Sequence, residues 1–384
     1  MSVLDFFIQK VKVLERINLA TPHMSGYEME YVNEAFETNW IAPLGKNVNM
    51  FEEEMSAYVG TKTGAALSAG TAAIHLGLKA AGVKKGDIVF CSSLTFSASA
   101  NPIIYEGAIP VFIDSDYVDW NMDPKALELA FEKYPQCKVV VAVDLYGQSC
   151  RYDEIKAICK KHGAVIVEDS AEALGTTYKG KQCGSLTEFG VLSFNGNKII
   201  TTSGGGMLMS NDEEKIKKVR FWSTQSREQE RHYQHNEIGY NYRMSNISAG
   251  IGRGQLKVLN ERVAKKREIY NTYKDGFKDI SYISMAPETD DCVSNHWLSC
   301  LILTPESPVK ALDIIIALEK ENIECRPIWK PMHMQPVFEG CDFVSSLPQA
   351  ASENIFARGV CLPSDTKMTI EEQQRVIDAI KALF

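Results

Sequence analysis

Residues 139–147, VVVAVDLYG, and residues 164–171, AVIVEDSA, are two apolar runs with a helical stretch between them, and each run ends at acidic residues, Asp144 in the first and Glu168 and Asp169 in the second. Short runs rich in Val and Ile, apolar at successive positions, suit strands buried on both faces, which is the pattern of a largely parallel sheet covered by helices on either side. The alternation extends outward in both directions. Before these runs come AALSAG (65–70), a helix predicted from Thr71 through Ala80, DIVFCSS (87–93) and IPVFID (109–114); after them comes GVLSF (190–194). In such sheets ligands sit beyond the carboxyl ends of the strands. The polar residues that close each run are therefore the candidates: Ser68 to Thr71, Ser92 to Phe96, Asp144 to Gly147, Asp169 to Glu172, and Ser193 to Lys198.

The flanks read differently. Ser25 with Glu28 fits a capping box opening a helix that carries Tyr27, Met29, Val32 and Phe36 on one side and stops near Asn39. From about Asn260 the pattern becomes a long charged helix, NERVAKKREIYNTYKDGF, then a few strands, then an amphipathic helix marked by a Thr369/Glu372 capping box and by Val376, Ile380 and Leu383 at helical spacing. The charged helix is expected to present a solvated face with i,i+4 ion pairs. The expected organisation is an α/β chain with an N-terminal extension (1–20), a large domain (21–259) and a smaller C-terminal α+β domain (260–384). The stretch VLDFFIQKVKVLERI in the extension is predicted to be an amphipathic helix and no signal peptide, because Asp5, Lys10 and Lys12 interrupt it and no small-residue cleavage site follows.

Composition excludes several classes. A chain of 384 residues, 45% hydrophobic and 23% charged, can bury a large core and is neither disordered nor fibrous. A formal net charge of −8 without a Lys/Arg block argues against nucleic acid, although one anionic ligand could still be held locally. The ten cysteines form no C-x-x-C pair, so neither a zinc ribbon nor a disulfide scaffold is expected, and buried thiols in a reducing cytoplasm fit better. No run of about 18 apolar residues appears, so no membrane-spanning helix is expected. His75 is expected to be a packed core histidine with no second ligand to make a metal site, and nothing marks Cys91 or Cys183 as a nucleophile.

Four features remain. Asp169 ends a strand close to the core, where a carboxylate is costly unless a cation or several donors meet it; by itself it could equally cap the next helix. Lys198, in SFNGNKIITTSGGGM (193–207), ends another apolar run, and a poorly solvated lysine is suited to imine chemistry. Gly70 and Thr71 open a helix after a small-residue turn, where N–H groups and a hydroxyl favour a phosphate. Phe96, at a strand end in SSLTFSASAN, could lie flat on a ring or be ordinary core. A phosphate cradle, a ring-stacking aromatic, an acid for a ring nitrogen and an imine-forming lysine, in that order, are the parts of pyridoxal phosphate (PLP) catalysis.

With these residues in hand the chain resembles the sugar-nucleotide aminotransferases among the fold type I PLP enzymes, from about Asn18 to the C-terminus. The resemblance rests on TNWIAPLG (38–45), SAGTAAIHL, VEDSAEALG, SFNGNKIITTSGGGM, GYNYRMSNI and RPIWKPMHMQPVF. It implies a large domain built on a mostly parallel sheet of the seven-stranded type. It implies that Lys198 bonds the cofactor, that Asp169 keeps the pyridine nitrogen protonated, and that Glu172 lies near the ring oxygen. Gly70, Thr71 and Ser193 would contact the phosphate and Phe96 would stack on the ring. Asn241 would reach the phosphate of a neighbouring subunit's cofactor, making a homodimer with composite sites. Asn39, Trp40, Ile41 and Ala42 would line the sugar-nucleotide pocket, with Arg243, Arg326 and His333 as further contributors. Many relatives read GEGG after the lysine where this chain has SGGG at 203–206, a difference expected to leave catalysis intact. The wording is most similar to the 4-aminotransferases that make UDP-4-amino-4,6-dideoxy-N-acetylglucosamine in the bacillosamine pathway, with L-glutamate as amino donor. Two rivals within the resemblance are a transaminase for a GDP-4-keto-6-deoxymannose or dTDP-keto sugar and a dehydratase branch in which histidine replaces the lysine. Lys198 speaks against the second, and against a non-catalytic relative.

Overall fold

The computed structural model describes residues 15–384. The amphipathic helix expected over residues 3–17 falls almost wholly outside them. Helices α1 (Glu28–Glu37) and α2 (Lys46–Val59) lead into β1 (Thr63–Leu67) and α3 (Gly70–Ala81). Then follow β2 (Ile88–Ser92), α4 (Asn101–Tyr105), β3 (Ile109–Ile113), α5 (Pro124–Lys133), β4 (Val139–Val143), α6 (Tyr152–His162) and β5 (Val165–Asp169). A hairpin, β6 (Thr177–Tyr178) and β7 (Lys181–Gln182), precedes β8 (Phe189–Ser193), β9 (Gly206–Ser210), α7 (Glu213–Ser223), α8 (Asn246–Leu256) and α9 (Leu259–Phe277). The remainder comprises β10 (Ile283–Met285), β11 (Cys292–Val293), β12 (Ser299–Leu303), α10 (Ala311–Lys320), β13 (Arg326–Pro327), β14 (Asp342–Val344), α11 (Ala351–Arg358), β15 (Gly359–Leu362) and α12 (Ile370–Lys381).

The central sheet has eight strands in the order β1-β9-β8-β5-β4-β2-β3-β14. Strands β14, β3, β2, β4, β5 and β8 run parallel, while β9 is antiparallel to both β8 and β1. Alternate residues feed two cores. Val167 and Leu208 pack under α3 with Leu76 and Leu78, whereas Val140 and Ile166 face Phe131, Tyr152 and Ile155 of α5 and α6. Every residue of β4 is buried, as its unbroken apolar sequence predicts. The expected seven-stranded type is exceeded by one short strand. β14 comes from the C-terminal part of the chain and lies parallel to β3, with Asp342 opposite Val111.

The second sheet, β10-β12-β15-β13, is antiparallel throughout and packs its apolar face with α9, α10 and α12. The Thr369/Glu372 capping box forms at the start of α12. At α1 the expected box takes another shape: the Glu28 carboxylate accepts from the N–H groups of Ser25 and Gly26 and from the Ser25 hydroxyl, each at 2.8 Å. The long charged helix α9 is less solvated than its charge predicts. Lys266, Ile269, Tyr270, Tyr273 and Phe277 form a buried face, with the Lys266 amine donating to the Trp297 and Ser364 carbonyls. His75 is packed, as expected, but a carboxylate does meet it: Nε2 lies 3.0 Å from Glu106 Oε1.

Candidate active site

The strand order brings four widely separated segments to one edge. β4 ends at Val143, β5 at Asp169 and β8 at Ser193, and the turn from β1 into α3 opens beside them; a cavity of about 350 Å³ lies over these ends. Its lining includes Gly70, Thr71, Phe96, Asp169, Glu172, Ser193 and Lys198. These seven are among the eight residues named from the sequence for the cofactor, all but Asn241, and come from positions as much as 128 apart.

Asp169 sits deepest. Its Oδ2 accepts from Ser99 Oγ at 2.6 Å and its Oδ1 from the Ala171 N–H at 3.2 Å. Burial pushes its carboxyl above the ordinary value, against the opposing pull of those two donors and of Lys198. Among the described residues it is in no ion pair. Glu172, three residues on in the turn after β5, accepts from the Tyr146 N–H at 2.6 Å through Oε2 and faces Lys198 Nζ at 3.5 Å through Oε1. Tyr146 adopts a left-handed φ of 52° to aim that N–H inward. Burial drives the Glu172 carboxyl up to about 7, with Lys198 and the Tyr146 N–H drawing it back.

Two glycines explain the close approach of backbone here. A Cβ on Gly206 would meet Ala69 carbonyl atoms and the Gly70 nitrogen at 2.5 Å, and a Cβ on Gly70 would meet the Ser193 side chain at 3.1 Å. So β9 runs directly against the turn that opens α3. The start of α3 has no side-chain cap, which leaves its first N–H groups directed at the cavity beside Thr71 and Ser193.

The sequence reading missed Ser99, Trp297 and Trp329, which also line the cavity. Ser99 and Trp329 stand inside stretches already singled out, SSLTFSASAN and RPIWKPMHMQPVF, whereas Trp297 had no local signal. Phe96 is 57% exposed at the mouth, with its ring centroid 5.3 Å from that of Trp329. The remaining residues expected at the site do not line this cavity. Trp40 and Ile41 are exposed beside Asn39 and Ala42, in a loop held by Asn246, whose Nδ2 donates to the Trp40 carbonyl at 2.8 Å. Asn241 is exposed, and Arg326 pairs with Glu324 at 2.7 Å. Arg243 and His333 are each held by other side chains or carbonyls of this chain. Arg243 is buried against Glu52 and the Ala66 carbonyl; His333 bonds Ser93 Oγ at 2.7 Å and Glu353 at 3.1 Å and stacks on Phe343.

Residues 22–381 match the DegT/DnrJ/EryC1/StrS aminotransferase family, and the chain belongs to that family. It is 53% identical over 375 residues to EpsN of Bacillus subtilis (strain 168), named a pyridoxal phosphate-dependent aminotransferase, with 96% of each chain covered. It is 35% identical to a GDP-perosamine synthase of Caulobacter vibrioides, covering 96% of this chain and 98% of that one. It is 31% identical to a UDP-4-amino-4,6-dideoxy-N-acetyl-beta-L-altrosamine transaminase of Campylobacter jejuni, covering 88% and 90%. Among solved structures, the PLP form of the sugar aminotransferase Spr1654 from Streptococcus pneumoniae superposes with a TM-score of 0.89 at 27% identity, covering 96% of this chain and 98% of that one. The protein is thus a PLP-dependent sugar aminotransferase of fold type I.

The cavity fits that cofactor. A buried carboxylate without a cationic partner suits a protonated ring nitrogen, an uncapped helix start suits a phosphate, and an amine held at the rim suits a covalent link.

Gly206→Ala should force β9 away from the Ala69–Gly70 turn, costing about 1–3 kcal/mol and weakening PLP retention; urea unfolding and cofactor titration measure the two effects. Glu172 gives a pH signature. Its folded-state value, about 7, lies above the ordinary 4.5, so ionising it opposes folding. The stability of the cofactor-free protein relative to Glu172→Gln should therefore fall as pH rises from about 4.5 through about 7 and level off above, which urea midpoints at a series of pH values would show.

Proposed function

We propose that the protein transfers the amino group of L-glutamate to C4 of a UDP-2-acetamido-2,6-dideoxy-4-keto-hexose, giving the UDP-4-amino sugar for glycan biosynthesis. The observation that carries the reading is the meeting of Lys198, Asp169 and Glu172 in one cavity that opens at the uncapped start of α3. The nucleotide and sugar rest on TNWIAPLG and NGNKIITTSGGGM, and the similarity to a UDP-sugar transaminase agrees with them.

Bound PLP supplies the electron sink that makes a C–H bond beside the transferred amine acidic. The residues do the rest. Gly70 and Thr71 would hold the phosphate by backbone N–H groups, with the Thr71 and Ser193 hydroxyls beside them, while Phe96 would cover the ring. Asp169, kept in place by Ser99, holds the ring nitrogen protonated by its negative charge. Lys198 Nζ is the amine that would anchor the cofactor and that, when free, would serve as the base that takes the donor's α-proton and returns it. Glu172, fixed by the Tyr146 N–H, faces Nζ throughout.

In this reading the active form is a homodimer with composite sites. Asn241 reaches the partner's phosphate, and Asn39, Trp40, Ile41 and Ala42 with Arg326 meet the sugar nucleotide. The exposure of Tyr27, Met29, Phe36, Trp40 and Ile41 on adjoining surface supports an apolar interface there. No described helix is long and apolar enough to cross a membrane, and a cytoplasmic location suits nucleotide-sugar substrates.

A second reading keeps the chemistry and changes the acceptor to GDP-4-keto-6-deoxymannose. Similarity to GDP-perosamine synthases favours it, at 35% identity against 31% for the UDP-sugar transaminase. Turnover with a panel of UDP-, dTDP- and GDP-keto sugars and glutamate decides: a clear GDP or dTDP preference overturns the first reading. Lys198→Ala should keep the fold, as judged by circular dichroism, and lose transamination by at least a thousandfold; full turnover by that variant would refute the role of the lysine.

A further inference from the structure

Trp297 enters the cavity from the connection between β11 and β12 and is only 2% exposed. Its indole Nε1–H donates to the Asn197 carbonyl at 2.9 Å, one residue before Lys198. Its main-chain N–H donates to Asn295 Oδ1 at 2.8 Å, and Asn295 Nδ2 donates in turn to the carbonyls of Glu172 and Leu174, both at 2.9 Å. Its carbonyl accepts from Lys266 Nζ at 2.8 Å. Lys266 is the buried lysine of α9, which also donates to the Ser364 carbonyl at 2.5 Å. The ring is therefore tied to the two segments that carry Lys198 and Glu172. What these ties leave free is the indole face, and Lys198 Nζ lies over it, 3.9 Å from the centroid.

We propose that Trp297 is a positioning residue for Lys198, its indole face being the seat on which the lysine's ammonium rests while the nitrogen is not bonded to the cofactor. The proposal rests on the reading that Lys198 is both anchor and proton carrier. When the free amine takes the donor's α-proton, its lone pair forms the new N–H bond, the C–H pair stays on carbon for the cofactor to accept, and the nitrogen becomes a cation. A cation over an indole face is favoured by roughly two- to thirtyfold in an equilibrium constant. A fixed ring face thus favours the proton's arrival and keeps the ammonium near Glu172, where it can hand the proton back. A packing role alone would require neither the hydrogen bond to Asn197 nor a ring face turned to the amine.

The test uses capture of PLP by the cofactor-free full-length protein, followed by the absorbance of the bound cofactor across a pH series. Capture needs the neutral amine, so loss of the seat should move the acid limb of the rate profile to lower pH, by about half a unit to one and a half units in Trp297→Leu. The other charged groups facing Nζ, Glu172 and Asp169, are the same in every variant. Should Trp297→Leu fail to fold, tryptophan carrying one, two or three ring fluorines at position 297 keeps the shape and the N–H while weakening the face step by step. The limb should then move further with each fluorine, with exchange of the donor's α-hydrogen slowing in parallel and KM for the sugar nucleotide holding within about twofold. Superimposable profiles across the fluorinated series, in protein whose unmodified form shows the cofactor band, overturn the role of Trp297. Absence of any band in unmodified protein given PLP overturns the underlying reading instead.

Discussion

Two buried carboxylates and one amine share a cavity, and the rest of the architecture can be understood as the means of holding them there. An unpaired charge at such depth costs several kcal/mol unless donors converge on it. The donors come from separate elements: Ser99 from the turn after β2, the Tyr146 N–H from the strained turn after β4, and the Ala171 N–H from the turn after β5. A parallel sheet is the economical way to gather such turns at one edge, because each strand delivers its carboxyl end to the same side. The one reversal, β9, serves the same end by bringing its glycine-rich start to that edge.

Much of this was legible in the sequence because the signals are local. β4 and β5 announce themselves as apolar runs closed by acids, and Asp169, Lys198, Gly70 and Thr71 were placed by where those runs stop. The Thr369/Glu372 box was legible for the same reason: both partners lie within one helical turn. What escaped depends on pairing between distant segments. Trp297 lines the site through bonds to Asn197 and Asn295 that no spacing encodes, and the buried face of α9 was hidden because Lys266 counts as polar wherever its amine ends up. The partners of Arg243 and His333 were illegible for a related reason. A charged side chain in a suggestive motif is as readily claimed by Glu52 or Ser93 as by a substrate.

The two sheets meet through polar threads as well as through an apolar cluster that joins Leu94, Leu145 and Tyr146 to Trp297, Cys300, Ile328 and Cys361. Asn295 bridges the turns at Glu172 and Thr176, its N–H donating to Thr176 Oγ1 at 2.9 Å, and Lys266 of α9 ties the segment before β12 to the segment after β15. Groups of this kind specify geometry more than they add stability, since each buried donor must find its acceptor at one relative position of the two sheets. Lys198 is thereby held in register with residues from both halves of the molecule.

The eighth strand has a consequence for how such a molecule could be divided. β14 is contributed from beyond residue 260, yet it covers the outer edge of β3, and Asp114 at the end of β3 receives the N–H groups of Ala351 and Ser352 at 3.0 Å each. Cutting the chain between α8 and α9 would strip that cover and leave a flat apolar strand with unpaired hydrogen-bonding groups, the surface on which chains stack edge to edge and aggregate. The cofactor-bearing half is therefore no portable module: recombination or truncation during evolution would have to carry the C-terminal strand along, or replace it.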